Sequence, residues 1–351
     1  MDDQSRALPE LPATPPVSYV MPVLNEAGYL PDAVATILSQ DYAGEVEIVL
    51  ALGPSTDGTS DVAVRLAASD SRVVLVDNPD SDIPKALNAA IQASRHPVIV
   101  RVDAHSELPP GYTTTAVETL RRTGAGNVGG VMRAAGRTPV QRAVARAYNS
   151  PFGLGGGVYH HGDEEGPAES AYLGVFRREA LVAAGGFDEE MRRAEDWELN
   201  QRIIGAGYLV WFTPSLAVTY WPRASFGALR RQMYSTGVWR GHLVRREGHT
   251  PWRYVAPPIA AIIVGVSVLG ALMTALGMVR GGAAKVFWPA HAATIAYTAG
   301  VTAVGATLGG DGIVDRALNV AALATMHLSW GVGFVKGFTA GGADTVDRSR
   351  L

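Results

Sequence analysis

The sequence contains no cysteine among its 351 residues. Disulfides, thiolate zinc sites and a cysteine nucleophile are therefore excluded. A basic surplus is also missing, because 30 Lys and Arg stand against 33 Asp and Glu, for a net charge of -3. Proteins that bind nucleic acid usually present a positive surface to its phosphates. The composition therefore argues against a nucleic-acid partner.

The first residues lack the basic start and the apolar stretch of a secretory signal. Residues 1–16 are acidic and proline-rich, which predicts a disordered tail. We expect the domain that follows to begin in the cytoplasm.

Apolar runs alternate with amphipathic segments from residue 17 to residue 104. Continuous apolar strands separated by helices are typical of a sheet covered on both faces, so the pattern predicts an α/β fold with a mostly parallel sheet. The predicted strands are 17–23, 46–52, 72–78 and 97–104, and the predicted helices are 26–40, 59–69 and 83–94.

Polar residues follow three of these strands. Asn25 and Glu26 follow the first strand, "GPSTDGT" follows the second, and Asp103 ends the fourth. The carboxyl ends of parallel strands form one rim, where ligands bind. Residues two apart on a strand point to the same side, so Asp103 and His105 are expected to aim at one point. The alternative is that both residues only shape a turn.

Further candidates lie in the second half of the chain. His160 and His161 occur in a glycine-rich loop and are secondary candidates, since a pair of loop histidines is usually solvated. Glu195 and Asp196 open a predicted helix. Carboxylates in a first helical turn also stabilise the helix through its dipole, so their position alone does not assign a function.

The last hundred residues are much more apolar than the rest. Stretches 254–279, 286–308 and 317–338 each approach the ~20 residues that cross a bilayer. We expect the first two to span, whereas the third contains Asn319 and His327 and is expected at the interface or between helices. Residues 225–253 mix Arg with aromatic residues and predict a helix on the cytoplasmic membrane surface. The predicted catalytic domain is 17–224, and the membrane region is 254–351.

Six motifs together resemble one enzyme family. In chain order they are "VMPVLNEAGYL", "STDGT", "VDAH", "GGFDEEM", "AEDWELNQR" and "QMYSTGVWR". They resemble family 2 inverting glycosyltransferases with the GT-A fold, in particular the membrane-attached glucosyltransferases of succinoglycan-type exopolysaccharide assembly. The resemblance covers about residues 17–246. It implies a Rossmann-like nucleotide-sugar-binding domain followed by transmembrane helices.

The resemblance also implies a divalent metal on the diphosphate of a nucleotide-sugar donor. The family usually reads Asp-x-Asp where this chain has Asp103, Ala104 and His105. The implied metal ligands are Asp103 and His105. An imidazole ligand favours Mn²⁺ over Mg²⁺.

Donor-binding residues are carried over from the same resemblance. They are Pro22, Glu26, Asp57, Lys85 and Asp103. Asp57 has an alternative role at the start of a helix, and Lys85 has one as a solvated surface lysine. The chain departs from the family at residues 52–55, which read Leu-Gly-Pro-Ser instead of the common Asp-Asp-Gly-Ser. This departure leaves the donor's base open.

The resemblance assigns Asp196 as the base that deprotonates the acceptor and places Glu195 beside it. Gln232, Trp239 and Arg240 are assigned to the acceptor or membrane side, with a spacing unlike the Gln-x-x-Arg-Trp signature of processive synthases. The implied activity is transfer of one sugar, glucose from UDP-glucose, to a lipid-linked or glycan acceptor at the cytoplasmic face of the cell membrane. The alternatives are a processive synthase and a non-catalytic sugar-nucleotide-binding membrane protein.

Overall fold

The structure is a computed structural model that describes residues 9–153, 164–191, 195–248 and 250–342. The chain forms two compact units. The first is Met1–Arg133 with Gly156–Trp221, and the second is Ala134–Gly155 with Pro222–Leu351. The predicted domain boundary at residue 224 lies close to Trp221, where the chain leaves the first unit for the second time. The sequence pattern did not predict that residues 134–155 belong to the second unit.

The first unit is built on an eight-stranded and a three-stranded sheet. The strands are β1 (Val17–Val23), β2 (Val46–Leu52), β3 (Val73–Asp77), β4 (Val98–Arg101), β5 (Ser106–Glu107), β6 (Asn127–Gly130), β7 (Met132–Ala134), β8 (Gly166–Pro167), β9 (Tyr172–Arg177), β10 (Val210–Phe212) and β11 (Val218–Tyr220). The larger sheet has the order β3-β2-β1-β4-β9-β6-β10-β8, and the smaller has the order β5-β11-β7.

Helices connect these strands and continue into the second unit. They are α1 (Leu30–Leu38), α2 (Thr59–Ser69), α3 (Ile83–Ala93), α4 (Tyr112–Thr123), α5 (Pro139–Tyr148), α6 (Arg178–Ala184), α7 (Glu195–Gly205), α8 (Phe226–Glu247), α9 (Ala256–Ala275), α10 (Trp288–Thr307) and α11 (Ile313–Ala340). A short 3-10 helix, Trp252–Tyr254, precedes α9.

The central strands are parallel and buried. β1 pairs in parallel with both β2 and β4, and β2 pairs in parallel with β3. Helices cover both faces, which is why these strands are apolar at nearly every position. The predicted α/β class with a mostly parallel sheet is confirmed. β9 runs antiparallel between β4 and β6, which the sequence pattern did not indicate.

Two local expectations are wrong. β4 ends at Arg101, so Asp103 and His105 are not on a strand. They lie in a turn in which the Ser106 amide donates to the Asp103 carbonyl at 2.9 Å. The predicted disordered tail of residues 1–16 is also too long, because Leu11 is buried and the carbonyl of Pro15 accepts from the Tyr42 hydroxyl at 2.6 Å.

In the second unit, α8 packs along α11 through glycine. Gly237 and Gly241 on α8 press against the backbone of α11, while Gly333 and Gly337 on α11 press against the backbone of α8. A Cβ at any of these positions would overlap the facing helix. Small residues let helix backbones approach closely, as in membrane helix pairs. The predicted surface helix of residues 225–253 is therefore tightly packed along one side.

Asp315 and Asn319 of α11 have partners within the second unit. Asn319 is buried and donates to the carbonyls of Gly305 and Gly309 at 3.1 and 2.9 Å. Its side-chain oxygen accepts from Arg146 of α5 at 3.1 Å. Arg146 also pairs with Asp315 at 3.4 Å. An otherwise apolar helix tolerates these polar groups because each has a partner.

Two segments are long and apolar enough to cross a bilayer, judged by length and composition over the residues described. They are Trp252–Ala275, with mean hydropathy 2.2, and Ile313–Ala340, with mean hydropathy 1.3. The sequence pattern favoured 286–308 as the second span. α10, which carries His291 and repeated threonines, does not meet this criterion, whereas the 28-residue α11 does. The third predicted stretch is therefore a candidate span, and the second is not among the candidates found over the described residues.

These helices generate a prediction about membrane attachment. We expect the full chain to remain in the membrane pellet after alkaline carbonate extraction, because two long apolar helices have no stable place in water. A high-salt wash is the matched control, since salt screens the surface charges that hold peripheral proteins. Release of the protein by carbonate would show that α9 and α11 do not anchor it.

Candidate active site

Arg101, the last residue of β4, is the centre of a buried charge cluster in the first unit. It is only 5% exposed. Its Nη2 lies 3.3 Å from a carboxylate oxygen of Asp103 and 3.3 Å from one of Glu195, and its Nη1 donates to Asp196 Oδ1. The guanidinium also lies over the ring of Phe187, 5.9 Å from its centroid. The Arg101 guanidinium thus contacts carboxylates from the turn after β4 and from the first turn of α7.

Side-chain contacts hold α7 in place beside the sheet. Asn200 accepts from Asn127 of β6 at 2.6 Å and donates to Ser170 at 3.2 Å. Arg202 pairs with Glu198 one turn earlier at 2.6 Å. These contacts fix the helix that carries Glu195 and Asp196, so both carboxylates face Arg101 in a defined position.

The glycine-rich turn before α7 is anchored in a similar way. The Asn88 side chain of α3 donates to the Phe187 carbonyl at 2.8 Å and accepts from its amide at 2.9 Å. Arg202 Nη1 donates to the Gly186 carbonyl at 2.7 Å. Gly186 has φ +73°, a conformation that favours glycine. The "GGFDEE" motif therefore builds one side of the cluster.

The cluster carries more negative than positive charge. Three carboxylates surround one guanidinium, so with every group ionised the sum is one positive and three negative charges, or -2. Burial would lower the pKa of Arg101, but the charges of the three carboxylates outweigh it and hold that pKa above its usual value. Burial raises the pKa of Asp196 to about 7; Arg101 opposes this rise, and the other two carboxylates add to it.

Asp196 is the most accessible of the three carboxylates. Its side chain is 28% exposed, against 17% for Asp103 and 13% for Glu195. Arg101 donates to its Oδ1. A carboxyl group with a pKa near neutrality and access to solvent has the properties of a general base.

His105 forms a second part of the site with Glu26. Its Nδ1 lies 3.0 Å from Glu26 Oε1, and Glu26 is buried. The imidazole stands edge-on to Tyr220 of β11, with centroids 5.1 Å apart, and the His105 carbonyl accepts from the Trp221 amide at 3.1 Å. With a carboxylate on the Nδ1 side, a metal on His105 would use Nε2. The predicted place of Glu26 beside a nucleoside stays a prediction.

The loops after β1 and β2 are bonded to each other. The Asn25 amide donates to Ser55 Oγ at 3.0 Å, and its side chain accepts from the Thr56 amide at 2.8 Å. The Glu26 amide donates to Thr59 Oγ1 at 2.7 Å. Asn25 has φ 54°, which asparagine tolerates better than most residues. This network fixes the backbone that carries Glu26.

Asp57 belongs to the same network. Its Oδ2 accepts from the Ala27 amide at 3.0 Å, and its Oδ1 accepts from the Thr59 amide at 3.1 Å. Partial burial favours a higher pKa for Asp57, but these hydrogen bonds outweigh it and lower the pKa. The alternative that Asp57 is the N-cap of α2 is wrong, because Gly58 occupies that position; Asp57 lies one residue earlier and still accepts from the Thr59 amide.

The remaining predicted residues lie elsewhere. Pro22 is in β1, and Lys85 pairs with Asp80 at 2.6 Å on the surface, which agrees with the solvated alternative.

Three of the predicted residues are in the second unit. Gln232 accepts from the Tyr148 hydroxyl at 2.9 Å, Trp239 is buried, and the Arg240 guanidinium lies 4.2 Å from the centroid of the Tyr254 ring. His160 and His161 lie outside the described residues.

Arg101 is the residue at the centre of this cluster that sequence reasoning missed. A signal was present, because an arginine inside the apolar run "VIVRV" must be buried and therefore paired. The sequence did not show which carboxylates would pair with it, since Asp196 lies 95 residues away.

The side chains present fit a metal that binds together with a diphosphate. Over the described part of the chain, no group of three or more His, Asp or Glu side chains is arranged to hold a metal alone. Asp103 and His105 offer an oxygen and a nitrogen ligand. Divalent metals in such sites commonly take their other ligands from substrate phosphates and water.

The fold and the carboxylate cluster define a class of protein. The profile of glycosyl transferase family 2 matches residues 18–183, which include Arg101, Asp103 and His105. The succinoglycan biosynthesis protein ExoA of Rhizobium meliloti is 32% identical over 317 residues, which cover 90% of this chain and 92% of ExoA. The chain therefore belongs to glycosyl transferase family 2, and it is a glycosyltransferase.

Two further proteins are similar over most of their length. The dolichyl N-acetyl-alpha-D-glucosaminyl phosphate 3-beta-D-2,3-diacetamido-2,3-dideoxy-beta-D-glucuronosyltransferase of Methanococcus voltae is 22% identical over 274 residues, 74% of this chain and 85% of that protein. The mannosyltransferase PcManGT from Pyrobaculum calidifontis, solved in complex with GDP-Man and Mn²⁺, superimposes with a TM-score of 0.56 at 21% identity, covering 95% of this chain and 90% of PcManGT. The GT-A fold expected from the sequence is confirmed.

The crowded cluster generates a prediction about stability. The folded pKa of Asp196, about 7, exceeds the unfolded value, so the folded chain holds its proton more tightly and its stability falls as pH rises from about 4 to 7. Asp196→Asn removes this penalty. We expect the variant, as the full chain in detergent with a chelator, to be more stable than wild type by about 1–2 kcal/mol at pH 8.

The difference in stability between Asp196→Asn and wild type should shrink towards zero at pH 4. The thermal midpoint of unfolding, recorded across the pH range, measures this difference. The matched control is Glu179→Gln, which removes an exposed carboxylate from α6. A difference that does not depend on pH would show that crowding does not shift the titration of Asp196.

Proposed function

We propose that this enzyme transfers one glucose residue from UDP-glucose, with inversion, to a lipid-linked acceptor at the cytoplasmic face of the cell membrane. The product would serve cell-surface polysaccharide or glycolipid synthesis. The observation that carries the proposal is the cluster in which Arg101 holds Asp103, Glu195 and Asp196 together.

Asp196 acts as the general base in this proposal. Its Oδ2 takes the proton of the acceptor hydroxyl while the hydroxyl oxygen attacks the anomeric carbon from the side opposite the diphosphate. The new glycosidic bond forms, the bond to the diphosphate breaks, and the nucleoside diphosphate leaves with the bonding electrons. A pKa near 7 matches this task, because Asp196 is then ionised in a useful fraction of molecules and remains basic enough to accept a proton.

Arg101 and Glu195 act as positioning residues. Arg101 fixes Oδ1 of Asp196 and so directs Oδ2 towards the acceptor. Glu195 shares the same guanidinium at 3.3 Å and is the least exposed of the three carboxylates. Loss of the Glu195 carboxylate would shift Arg101 but would leave Asp196, the proton acceptor, in place.

Asp103 and His105 would hold a divalent metal, with Mn²⁺ favoured because imidazole is a softer ligand than carboxylate. When bound, such an ion offsets the negative charge that develops on the departing diphosphate. Glu26 would orient His105 from the Nδ1 side, as carboxylates commonly do for metal-binding histidines. PcManGT was solved with GDP-Man and Mn²⁺, which supports a divalent metal that binds together with the nucleotide-sugar donor.

A lipid-linked acceptor is supported by two independent observations. The chain has two segments able to cross a bilayer. The relative from Methanococcus voltae is named for transfer to a dolichyl-phosphate-linked sugar. Residues 52–55 lack the family's common acidic pair, so donors with three different bases are compared in the experiment below.

The test of the function begins with membranes that contain the full chain and a panel of labelled UDP-, GDP- and TDP-sugars. We expect labelled lipid only with UDP-glucose. Asp196→Asn should lower transfer by about 10³–10⁴-fold, because a positioned base contributes up to this amount. Donor affinity should stay close to that of wild type, since the change is nearly isosteric.

Glu195→Gln is the matched variant and should lower transfer less than Asp196→Asn. Lipid product and donor affinity are measured side by side for both. Transfer by Asp196→Asn at a near wild-type rate would exclude it as the base. A long polymer as product would favour a processive synthase.

The metal assignment makes a separate prediction. His105→Ala should weaken Mn²⁺ binding in the presence of UDP by roughly tenfold or more, as loss of a metal ligand or its orienting partner typically does. His105→Asp should restore binding with a shift towards Mg²⁺, because it provides a second oxygen ligand. Isothermal titration measures both affinities, and the thermal midpoint reports folding. Unchanged Mn²⁺ affinity in His105→Ala would show that His105 only shapes the turn.

A further inference from the structure

A cavity of about 360 Å³ lies within the second unit. Its lining comes from the loop after α5, the 3-10 helix Trp252–Tyr254 and helices α8 to α11, and it includes Phe152, Met233, Ala260, Tyr297, Met326 and Trp330. The volume falls within the roughly 300–1,000 Å³ of pockets that enclose small ligands. The catalytic proposal makes no use of this space.

The polar atoms on the cavity wall already have partners. His327 Nε2 lies 2.7 Å from the Phe152 carbonyl, which only accepts, so Nε2 carries the hydrogen. Its Nδ1 is then an acceptor and faces the Tyr297 hydroxyl at 3.4 Å. The wall therefore offers mainly apolar surface, which suits hydrocarbon better than a sugar or a nucleotide.

Two arginines lie against Tyr254, a residue of the cavity wall, and one of them, Arg253, lines the cavity itself. The guanidinium groups of Arg240 and Arg253 lie 4.2 and 4.9 Å from the centroid of the Tyr254 ring. Tyr254 in turn stacks on Trp330, with centroids 6.2 Å apart. Among the residues described, neither arginine pairs with a carboxylate, and no Asp or Glu lines the cavity. This edge of the cavity therefore suits an anion.

This charged edge lies at the start of a candidate membrane span. The span begins at Trp252, which is 80% exposed, and continues through α9. Tryptophan, tyrosine and arginine are enriched where a helix leaves the hydrocarbon core for the headgroup layer. An apolar cavity with cations at this level matches a lipid that has a phosphate at its head.

We propose that this cavity binds the lipid part of the acceptor. The part of the lipid's hydrocarbon chain nearest the phosphate occupies the cavity, and the phosphate lies against Arg240 and Arg253. The inference rests on the proposed function for the identity of the acceptor, but binding itself requires no turnover.

The experiment uses the full chain in phosphatidylcholine nanodiscs and a photoreactive long-chain polyprenyl phosphate as probe. Ala260→Trp fills the cavity, and Arg240→Gln with Arg253→Gln removes the charge while leaving the cavity open. Ala271→Trp on the exposed side of α9 and Arg316→Gln at the start of α11 are the matched controls. Inorganic phosphate and phosphatidylglycerol serve as competitors.

We expect labelling within residues 250–260 and 326–334, with apparent affinity lowered about tenfold or more in both cavity variants, a change equal to about 1.4 kcal/mol. The controls should bind as wild type does, and phosphatidylglycerol or inorganic phosphate should compete poorly. If Ala260→Trp does not fold, the arginine pair decides the question.

Unchanged labelling in the arginine double variant would overturn the inference, and so would equal competition by phosphatidylglycerol, which would indicate ordinary bilayer lipid. The two proposals fail separately. Specific labelling without any sugar transfer would contradict the proposed function alone, whereas transfer to lipid with unaffected labelling would contradict only the cavity assignment.

Discussion

Arg101 is buried at the end of a central strand, and a buried guanidinium is costly unless carboxylates surround it. Three carboxylates from two separate parts of the first unit meet this need. The dependence is mutual, because α7 carries two of these carboxylates, and without that helix the buried guanidinium would keep only the Asp103 carboxylate of the three. The position of α7, and with it the position of Asp196, is therefore tied to the end of β4.

The surplus of negative charge in this cluster links stability to chemistry. A compact fold would be more stable with fewer carboxylates at one point, yet burial, with the charges of Glu195 and Asp103 adding to it, raises the pKa of Asp196 to about 7. Sites that tune a base in this way commonly give up some stability. The loops after β1 and β2 contribute in the opposite sense, because their mutual hydrogen bonds hold Glu26 firmly against His105.

The second unit depends on a different constraint, which is close approach between helix backbones. Glycines on α8 and α11 bring the two helices into direct contact, and the buried Asn319 fixes α11 to the end of α10 and to α5. The glycine contacts are close backbone packing, and the Asn319 amide has hydrogen-bond partners for both its oxygen and its nitrogen, so both kinds of contact are compatible with a bilayer. They also leave a cavity beside Trp330 that is lined by Arg253.

The sequence by itself determined the α/β class, the strands β1 and β2, the helix that carries Glu195 and Asp196, and the apolar C-terminal region. These features follow from the local period of apolar residues, which a chain carries without reference to its partners. Only the tertiary structure decided that β4 stops at Arg101, that Asp196 reaches Arg101 across 95 residues, and that Glu26 faces His105. Such pairings depend on strand order and helix packing, and a local pattern of residues contains neither.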